Sequence, residues 1–140
     1  MAEIWQSDLR VKMSQEKKGK YLIYDLVIQT DNDDASRSPH LIFSLPRNSQ
    51  VRGIKFSKGL EQTAYQIYGS DSQALPPKTP SIDGYVKVDF RNLNRETVKI
   101  KISILEVDSG WKRGDGASAF VFGLTPERNK KNNFAYLPLR

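Results

Sequence analysis

Apolar and polar side chains alternate with a period of two along most of this chain, and that pattern limits the fold more than any other feature. In "YVKVDF", Val86, Val88 and Phe90 alternate with charged residues. In "TVKIKISILEV", the apolar series from Val98 to Ile104 alternates with lysine and serine. A period of two is typical of a β-strand with one buried and one solvated face. The pattern therefore predicts antiparallel sheets.

Other segments supply the remaining strands. "YLIYDLVIQT" is largely apolar on both faces and predicts a central strand, while "LRVKM", "HLIFSLP", "VRGIKF" and "SAFVFGL" predict weaker ones, with Gly53 as a bulge. Residues 60–68 allow two interpretations. The spacing of Leu60, Ala64, Ile67 and Tyr68 fits a helix, but tyrosine and isoleucine favour a strand over 64–68.

The order of these elements favours two packed sheets. No predicted strand is followed by a capped amphipathic helix of ten or more residues, which argues against an α/β fold. We predict an all-β, two-sheet antiparallel sandwich of about seven to eight strands, formed as a single domain over residues 1–140. The predicted core consists mainly of Tyr24, Leu26, Ile28, Phe43, Val88, Phe90, Ile100, Ile102 and Phe122.

Composition excludes several kinds of chemistry. The chain has no cysteine, so disulfides, thiol nucleophiles and cysteine-ligated metals are ruled out. The 22 Lys and Arg against 16 Asp and Glu give a net charge of +6, which favours acidic partners, although no block of five like charges occurs. We therefore expect either a protein partner or self-assembly, with nucleic acid or another polyanion as the alternative.

The N-terminal residues show no secretion signal, and no window approaches the length of apolar sequence that spans a membrane. This pattern predicts no membrane span. It fits a cytoplasmic protein or a subunit of an assembled particle. A cell-surface location would fit if the sequence were part of a longer protein.

The candidate catalytic and metal-binding residues favour structural interpretations. His40 is the single histidine, it opens a predicted strand, and no Gly-x-Ser-x-Gly elbow accompanies it. Asp31, Asp33 and Asp34 could together ligate calcium, but clustered Asp is also typical of a hairpin loop. A carboxylate pair such as Asp89 and Glu106 cannot be placed from sequence alone. We predict no enzyme activity, no cofactor and no metal.

The basic segment "RNKKNN" near the C-terminus is interpreted as a connection between two strands. Asparagine tolerates positive φ and caps nearby backbone, whereas phosphate-binding surfaces usually combine several cations with aromatic residues over a wider area. The segment lies between "SAFVFGL" and "NFAYLPL", both predicted strands. A structural role is therefore favoured over nucleic-acid binding.

Three stretches in order resemble a known family. They are "YLIYDLVIQTDNDDASRSPHLIFSLPRNSQV", "VDFRNLNRETVKIKISILEV" and "ASAFVFGLTPERNKKNNFAYLPL", with Leu45-Pro46 and Asn132-Asn133 as the most distinctive pairs. Together they resemble the immunoglobulin-like conserved repeat domain of bacterial and archaeal surface proteins. The resemblance implies an immunoglobulin-like sandwich in a prokaryotic protein that acts through its surface.

One polar surface is the main candidate for binding. If the strands around Val88 and Ile100 form a hairpin, Lys87 lies opposite Lys101 and Asp89 opposite Lys99. If the chain instead crosses between sheets at "NLNRE", as the resemblance implies, this surface divides. The predicted basic binding face consists of Tyr85, Lys87, Arg91, Lys99 and Lys101.

The loops at the ends of the sandwich are the second candidate, because loops on a rigid scaffold often carry recognition. The loops are 31–39, 70–83 and 109–117, and the named contacts are Trp111, Lys112 and Arg113. We therefore predict a non-enzymatic structural or protein-interaction module, of the kind that forms a subunit of a surface, viral or secretion-type assembly. The alternative is binding of nucleic acid or an anionic polysaccharide through the basic face.

Overall fold

The computed structural model describes residues 9–30, 36–37, 40–46, 49–57, 63–69, 74–75, 84–90, 92–93, 97–106, 115–122 and 133–138. The strands are β1 (Leu9–Lys18), β2 (Tyr21–Thr30), β3 (Ser36–Arg37), β4 (His40–Ser44), β5 (Ser49–Phe56), β6 (Ala64–Tyr68), β7 (Ala74–Leu75), β8 (Tyr85–Asp89), β9 (Asn92–Leu93), β10 (Thr97–Glu106), β11 (Gly116–Phe122) and β12 (Phe134–Pro138).

These strands form two main antiparallel sheets. One has four strands in the order β1-β2-β10-β5, and the other has six in the order β12-β11-β4-β8-β6-β7. The short strands β3 and β9 pair only with each other. The predicted all-β, two-sheet antiparallel sandwich is confirmed. Residues 64–68 form strand β6, as the β-propensity of tyrosine and isoleucine indicated.

The two sheets pack face to face around one apolar core. The ring of Tyr24 on β2 meets that of Phe43 on β4 edge to face, with centroids 5.2 Å apart. At the other side of the sandwich, the ring centroids of Phe56 on β5 and Tyr65 on β6 are 6.0 Å apart. The buried residues come from both sheets and include Leu9, Val11, Leu22, Tyr24, Leu26, Ile28, Leu41, Phe43, Val51, Ile67, Val86, Val88, Phe90, Val98, Ile100, Ile102, Ile104, Ala117, Ala119 and Val121.

Eight of the nine predicted core residues are buried, and Phe122 is the exception. Ala117, Ala119 and Val121 point inward from β11, so the alternation places Phe120 and Phe122 on its outer side. The prediction for Phe122 was wrong because the larger side chain was assumed to face the core. Small residues occupy the inner side where β1 packs across β11 and β12.

Local backbone features fix the register of the four-stranded sheet. Lys18 pairs with Tyr21 across a two-residue turn, where Gly19 has φ of 63°, the positive value that tight hairpin turns require. On β5, Val51 pairs with Ile104 and Gly53 with Ser103, which leaves Arg52 as an extra residue. The bulge predicted at Gly53 is therefore confirmed.

The chain crosses between sheets after β8. Strand β8 pairs with β4 and β6 in the six-stranded sheet, whereas β10 pairs with β2 and β5 in the four-stranded sheet. The chain passes from one sheet to the other between β2 and β4 and again between β8 and β10. Strand β3 lies in the first connection and β9 in the second, and the two strands pair with each other. The alternative of a hairpin between β8 and β10 is therefore wrong, and the crossing implied by the family resemblance is found.

Candidate interaction surfaces

The crossing separates the residues of the predicted basic face. Tyr85 and Lys87 lie on β8, while Lys99 and Lys101 lie on β10 in the other sheet. Because each side chain points away from the core, the two pairs lie on opposite outer faces of the sandwich. Arg91 lies outside the described residues. The structure therefore does not bring the five predicted residues together on one surface.

Most of the predicted loop contacts belong to segments outside the described part of the chain. Trp111, Lys112 and Arg113 lie outside the described residues, as do most of loops 31–39, 70–83 and 109–117. The basic residues of "RNKKNN" are also outside them. Strands β11 and β12 do pair directly, and the Val121 amide donates to the Asn133 carbonyl at 2.9 Å. The segment thus connects two neighbouring strands, as predicted.

The acidic candidates do not assemble into a site within the described chain. Asp31, Asp33 and Asp34 lie outside the described residues. Asp89 is on β8 and Glu106 on β10, in different sheets. Among the described residues, no three His, Asp or Glu side chains cluster closely enough to hold a metal ion.

The outer side of the six-stranded sheet carries aromatic side chains in two groups, one on β11 and β12 and one on β6 and β8, with Ser118 and Ser44 between them in register. Register places Phe134, Phe120 and Ile42 side by side across β12, β11 and β4. Phe120 is 40% exposed, Phe134 51% and Tyr136 50%. We define the aromatic face as the outward residues Ile42, Tyr68, Tyr85, Phe120, Phe122, Phe134 and Tyr136.

The backbone beneath Tyr136 explains how its ring lies on the sheet. Tyr136 pairs with Ser118 on β11, and Gly116 is the next outward position on that strand. A Cβ atom at Gly116 would lie 2.7 Å from the Tyr136 hydroxyl oxygen and 2.6 Å from the Leu137 carbonyl. The absence of a side chain at Gly116 therefore lets the tyrosine ring lie across β11.

Ring contacts order the rest of the aromatic face. Phe122 stacks on His40 with centroids 5.3 Å apart, and Phe120 meets Phe122 edge to face at 5.5 Å. Farther along, Tyr68 and Tyr85 stack at 4.8 Å. These contacts hold the rings of Phe120, Phe122, Tyr68 and Tyr85 in defined positions.

His40 contributes to this face by binding another side chain of the sheet. Its Nε2 lies 3.5 Å from an Asp89 carboxylate oxygen on the neighbouring strand β8. The imidazole is thus held between a carboxylate and the ring of Phe122. This arrangement agrees with the structural interpretation of His40.

Sequence reasoning missed the aromatic face, although a signal was present. Phe120 and Phe122 alternate with Ala119 and Val121, so one of the two sets must face outward. The choice between them depends on which side the opposite sheet covers. That information comes from tertiary packing.

The outer side of the four-stranded sheet is instead basic. We define the lysine face as Lys12, Lys55, Lys99 and Lys101, all exposed. The sequence identified Lys99 and Lys101. It missed Lys12 and Lys55, because only the strand order β1-β2-β10-β5 brings their strands beside β10.

A buried polar group lies inside the sandwich. The hydroxyl of Tyr24 is fully buried and has no hydrogen-bond partner in the described part of the chain. Gln15 on β1 is the inward-facing neighbour of Tyr24. Its side-chain oxygen is also buried without a hydrogen-bond partner among the described residues. Its Nε2 donates to the Pro138 carbonyl at 2.8 Å. Burial raises the pKa of Tyr24, and nearby Tyr136 raises it further.

Within the described residues, the structure contains no helix of the length and hydrophobicity needed to cross a membrane.

Comparison with protein-family models and with curated proteins gives no match. Solved structures do show similarity. AvmM, which catalyses macrocyclization in alchivemycin A biosynthesis, is 10% identical with a TM-score of 0.51, over 94% of this chain and 86% of that one. A mutant of SadP from Streptococcus suis is also 10% identical with a TM-score of 0.51, over 95% and 91%.

A third similar structure is a DUF4466 family protein from Parabacteroides merdae, 13% identical with a TM-score of 0.52. The alignment covers 96% of this chain but 44% of that longer protein. At such low sequence identity, structural similarity establishes the fold alone. The similarity is therefore one of overall fold. Since one of these proteins is an enzyme, the fold by itself does not assign a function.

Proposed function

We propose that the protein is a non-enzymatic interaction module, folded as one domain over residues 1–140, that associates with a second copy of itself through the aromatic face. The observation that carries this proposal is the exposure of Phe120, Phe134 and Tyr136 on two neighbouring strands of one sheet surface. Such an association would make the chain a building block of a larger assembly.

The composition of the aromatic face favours a protein partner. The buried centres of protein interfaces are enriched in phenylalanine and tyrosine and depleted of charge. The described charged groups on this face are Lys87 and Asp89, and Asp89 lies against His40. A base-stacking role would require cations interleaved with the rings. The lysines of the other sheet point to the opposite side of the sandwich.

The distribution of charge favours a second copy as the occupant. With a net charge of +6, two copies repel each other, and the repulsion is strongest where the lysines lie. Two aromatic faces can meet with both lysine faces directed outward, which keeps the like charges far apart. Because the same patch contacts itself, the pair would have twofold symmetry.

The exposed area indicates weak, concentration-dependent association. If each side chain offers about 200 Å², the three exposed rings present about 280 Å² per copy, or about 560 Å² per pair. A stable interface usually buries about 1,200–2,000 Å². The remaining residues of the face, Ile42, Phe122, Tyr68 and Tyr85, would therefore have to join the contact.

Sedimentation equilibrium over a range of concentrations tests the proposal. The variant Phe134→Ser removes about 100 Å² of exposed apolar area per copy, worth about 2.5 kcal/mol at most. In a symmetric pair the loss occurs twice, or about 5 kcal/mol at most, so the dimer should weaken up to about 4 × 10³-fold.

The matched control is Tyr21→Ser, which removes an aromatic ring of 43% exposure from the outer side of the other sheet. It should leave association unchanged. Wild-type protein that stays monomeric at millimolar concentration would refute self-association. Equal weakening by both substitutions would refute the assignment to the aromatic face. A complex with one defined different protein, lost in Phe134→Ser, would replace the second copy as the occupant.

A further inference from the structure

The lysine face forms a grid on the outer side of the four-stranded sheet. Lys12 on β1 and Lys99 on β10 both pair with Val27 on β2, so they flank it in one row across the strands. In the next row, Lys101 pairs with Lys55 on β5. Neighbouring strands lie about 4.8 Å apart, and successive outward residues lie about 6.7 Å apart along a strand.

Fold stability does not explain this arrangement. Like charges directly opposite each other on neighbouring strands are destabilising, and Lys101 and Lys55 are directly opposite. Lys101 also has a carboxylate neighbour, Asp25, at 3.9 Å, but both side chains are more than half exposed. A pair of that kind contributes little.

The remaining lysines of the face have no such neighbour. Among the described residues, no carboxylate lies within 4 Å of the amino groups of Lys12, Lys55 or Lys99. The other outward carboxylate described on this sheet, Glu16, lies 3.8 Å from Lys18. With four lysines and one neighbouring carboxylate, Asp25, the lysine face carries a net positive charge, which attracts anions.

We propose that the lysine face binds an anionic polysaccharide, a linear chain carrying sulfate or carboxylate groups. The repeating anions of such a chain can contact lysines in successive rows while its sugar rings lie over the half-buried side chains of Val27 and Ile23. This site does not depend on the proposed self-association. It lies on the opposite side of the sandwich from the aromatic face.

The separation of aromatic and basic residues favours a polysaccharide over nucleic acid. Proteins that bind single strands combine a basic groove with aromatic rings on the same surface. Here the aromatic rings lie on the other sheet. The described aromatic residue on the outer side of this sheet is Tyr21, at the end of β2 beside Lys18. Duplex reading requires a helix or ribbon that enters a groove, and the flat side of a four-stranded sheet does not provide one.

Binding of full-length protein to immobilised heparin over a series of salt concentrations tests the proposal. Each lysine that contacts an anion contributes about one unit to the slope of log affinity against log salt. The double variant Lys99→Gln/Lys101→Gln should therefore lower the slope by about one to two units and weaken binding at low salt by about tenfold or more. Lys12→Gln/Lys55→Gln should act in the same way.

The control is Lys20→Gln/Lys87→Gln, which removes the same net charge from the β1–β2 turn and from the other sheet. It should retain most of the affinity. Phe134→Ser should bind heparin like the wild type, so failure of self-association and failure of this proposal can be told apart. Absence of salt-dependent heparin binding, or equal losses in control and test variants, would overturn the proposal. Equal or tighter binding of oligothymidylate or duplex DNA would overturn the choice of a polysaccharide.

Discussion

Replacing Tyr24 by phenylalanine should stabilise the protein. The Tyr24 ring is fully buried between the sheets, and its hydroxyl has no hydrogen-bond partner in the described part of the chain. An unsatisfied buried polar group costs about 1–3 kcal/mol. Phenylalanine retains the edge-to-face contact with Phe43 and removes the hydroxyl. We expect the free energy of unfolding to rise by about 1–2 kcal/mol.

Urea unfolding followed by circular dichroism measures this change. For a chain of this size the expected gain corresponds to a rise in Tm of about 3–6 °C. Tyr21→Phe is the matched control, since Tyr21 begins the same strand and its side chain is 43% exposed. The control should change the free energy of unfolding by less than about 0.5 kcal/mol.

A loss of about 1 kcal/mol or more in Tyr24→Phe would refute the reasoning. It would mean that the hydroxyl forms a hydrogen bond in the folded protein. In that case we expect one buried water to bridge the Tyr24 hydroxyl and the nearby side-chain oxygen of Gln15.

The same substitution should alter the stability of the protein in alkali. Burial raises the pKa of Tyr24 in the folded state, whereas an unfolded tyrosine ionises near pH 10. The folded protein therefore favours the neutral phenol. The stability that comes from this preference is fully present below about pH 10, and it is lost as the pH rises above that value and the unfolded tyrosine ionises. Between about pH 9 and 11, Tyr24→Phe should lose less stability than the wild type.

Two further pairs of substitutions test the packing. Gly84 has φ of 96°, and an added Cβ would collide with the Tyr68 carbonyl, so Gly84→Ala should cost about 2–4 kcal/mol. Gly19→Ala should cost only about 1 kcal/mol, because its φ of 63° is similar but the space around it is open. Ala119→Leu should cost about 1–3 kcal/mol through overpacking, while Ser118→Leu, on the outer side of β11, should change little. Thermal unfolding measures all four, and an order reversed within either pair would contradict the placement of those side chains.

The sequence predicted the fold well where alternation was unambiguous. In β10, Val98, Ile100, Ile102 and Ile104 have polar neighbours, and all four are buried. In β11 both alternating sets contain apolar residues, so the pattern could not determine which set faces inward. Phe122 was assigned to the core for that reason, and the structure places it beside His40 on the surface.

The candidate surfaces were less predictable than the fold. Lys99 and Lys101 were correctly placed on the solvated side of a strand, because they alternate with buried residues. Their neighbours could not be identified, since Lys12 and Lys55 are distant in sequence and meet β10 only through strand order. Lys87 was grouped with them on the assumption that consecutive strands pair, which the crossing between sheets contradicts.

The sequence alone determined that the chain forms antiparallel strands with one buried and one solvated side, because side-chain alternation follows directly from backbone geometry. It also determined the central strand β2, from its apolar residues on both faces. Only the tertiary structure decided which side of β11 is buried and which lysines share a surface. Both depend on non-local pairing and on the covering sheet, which are properties of the packed chain as a whole.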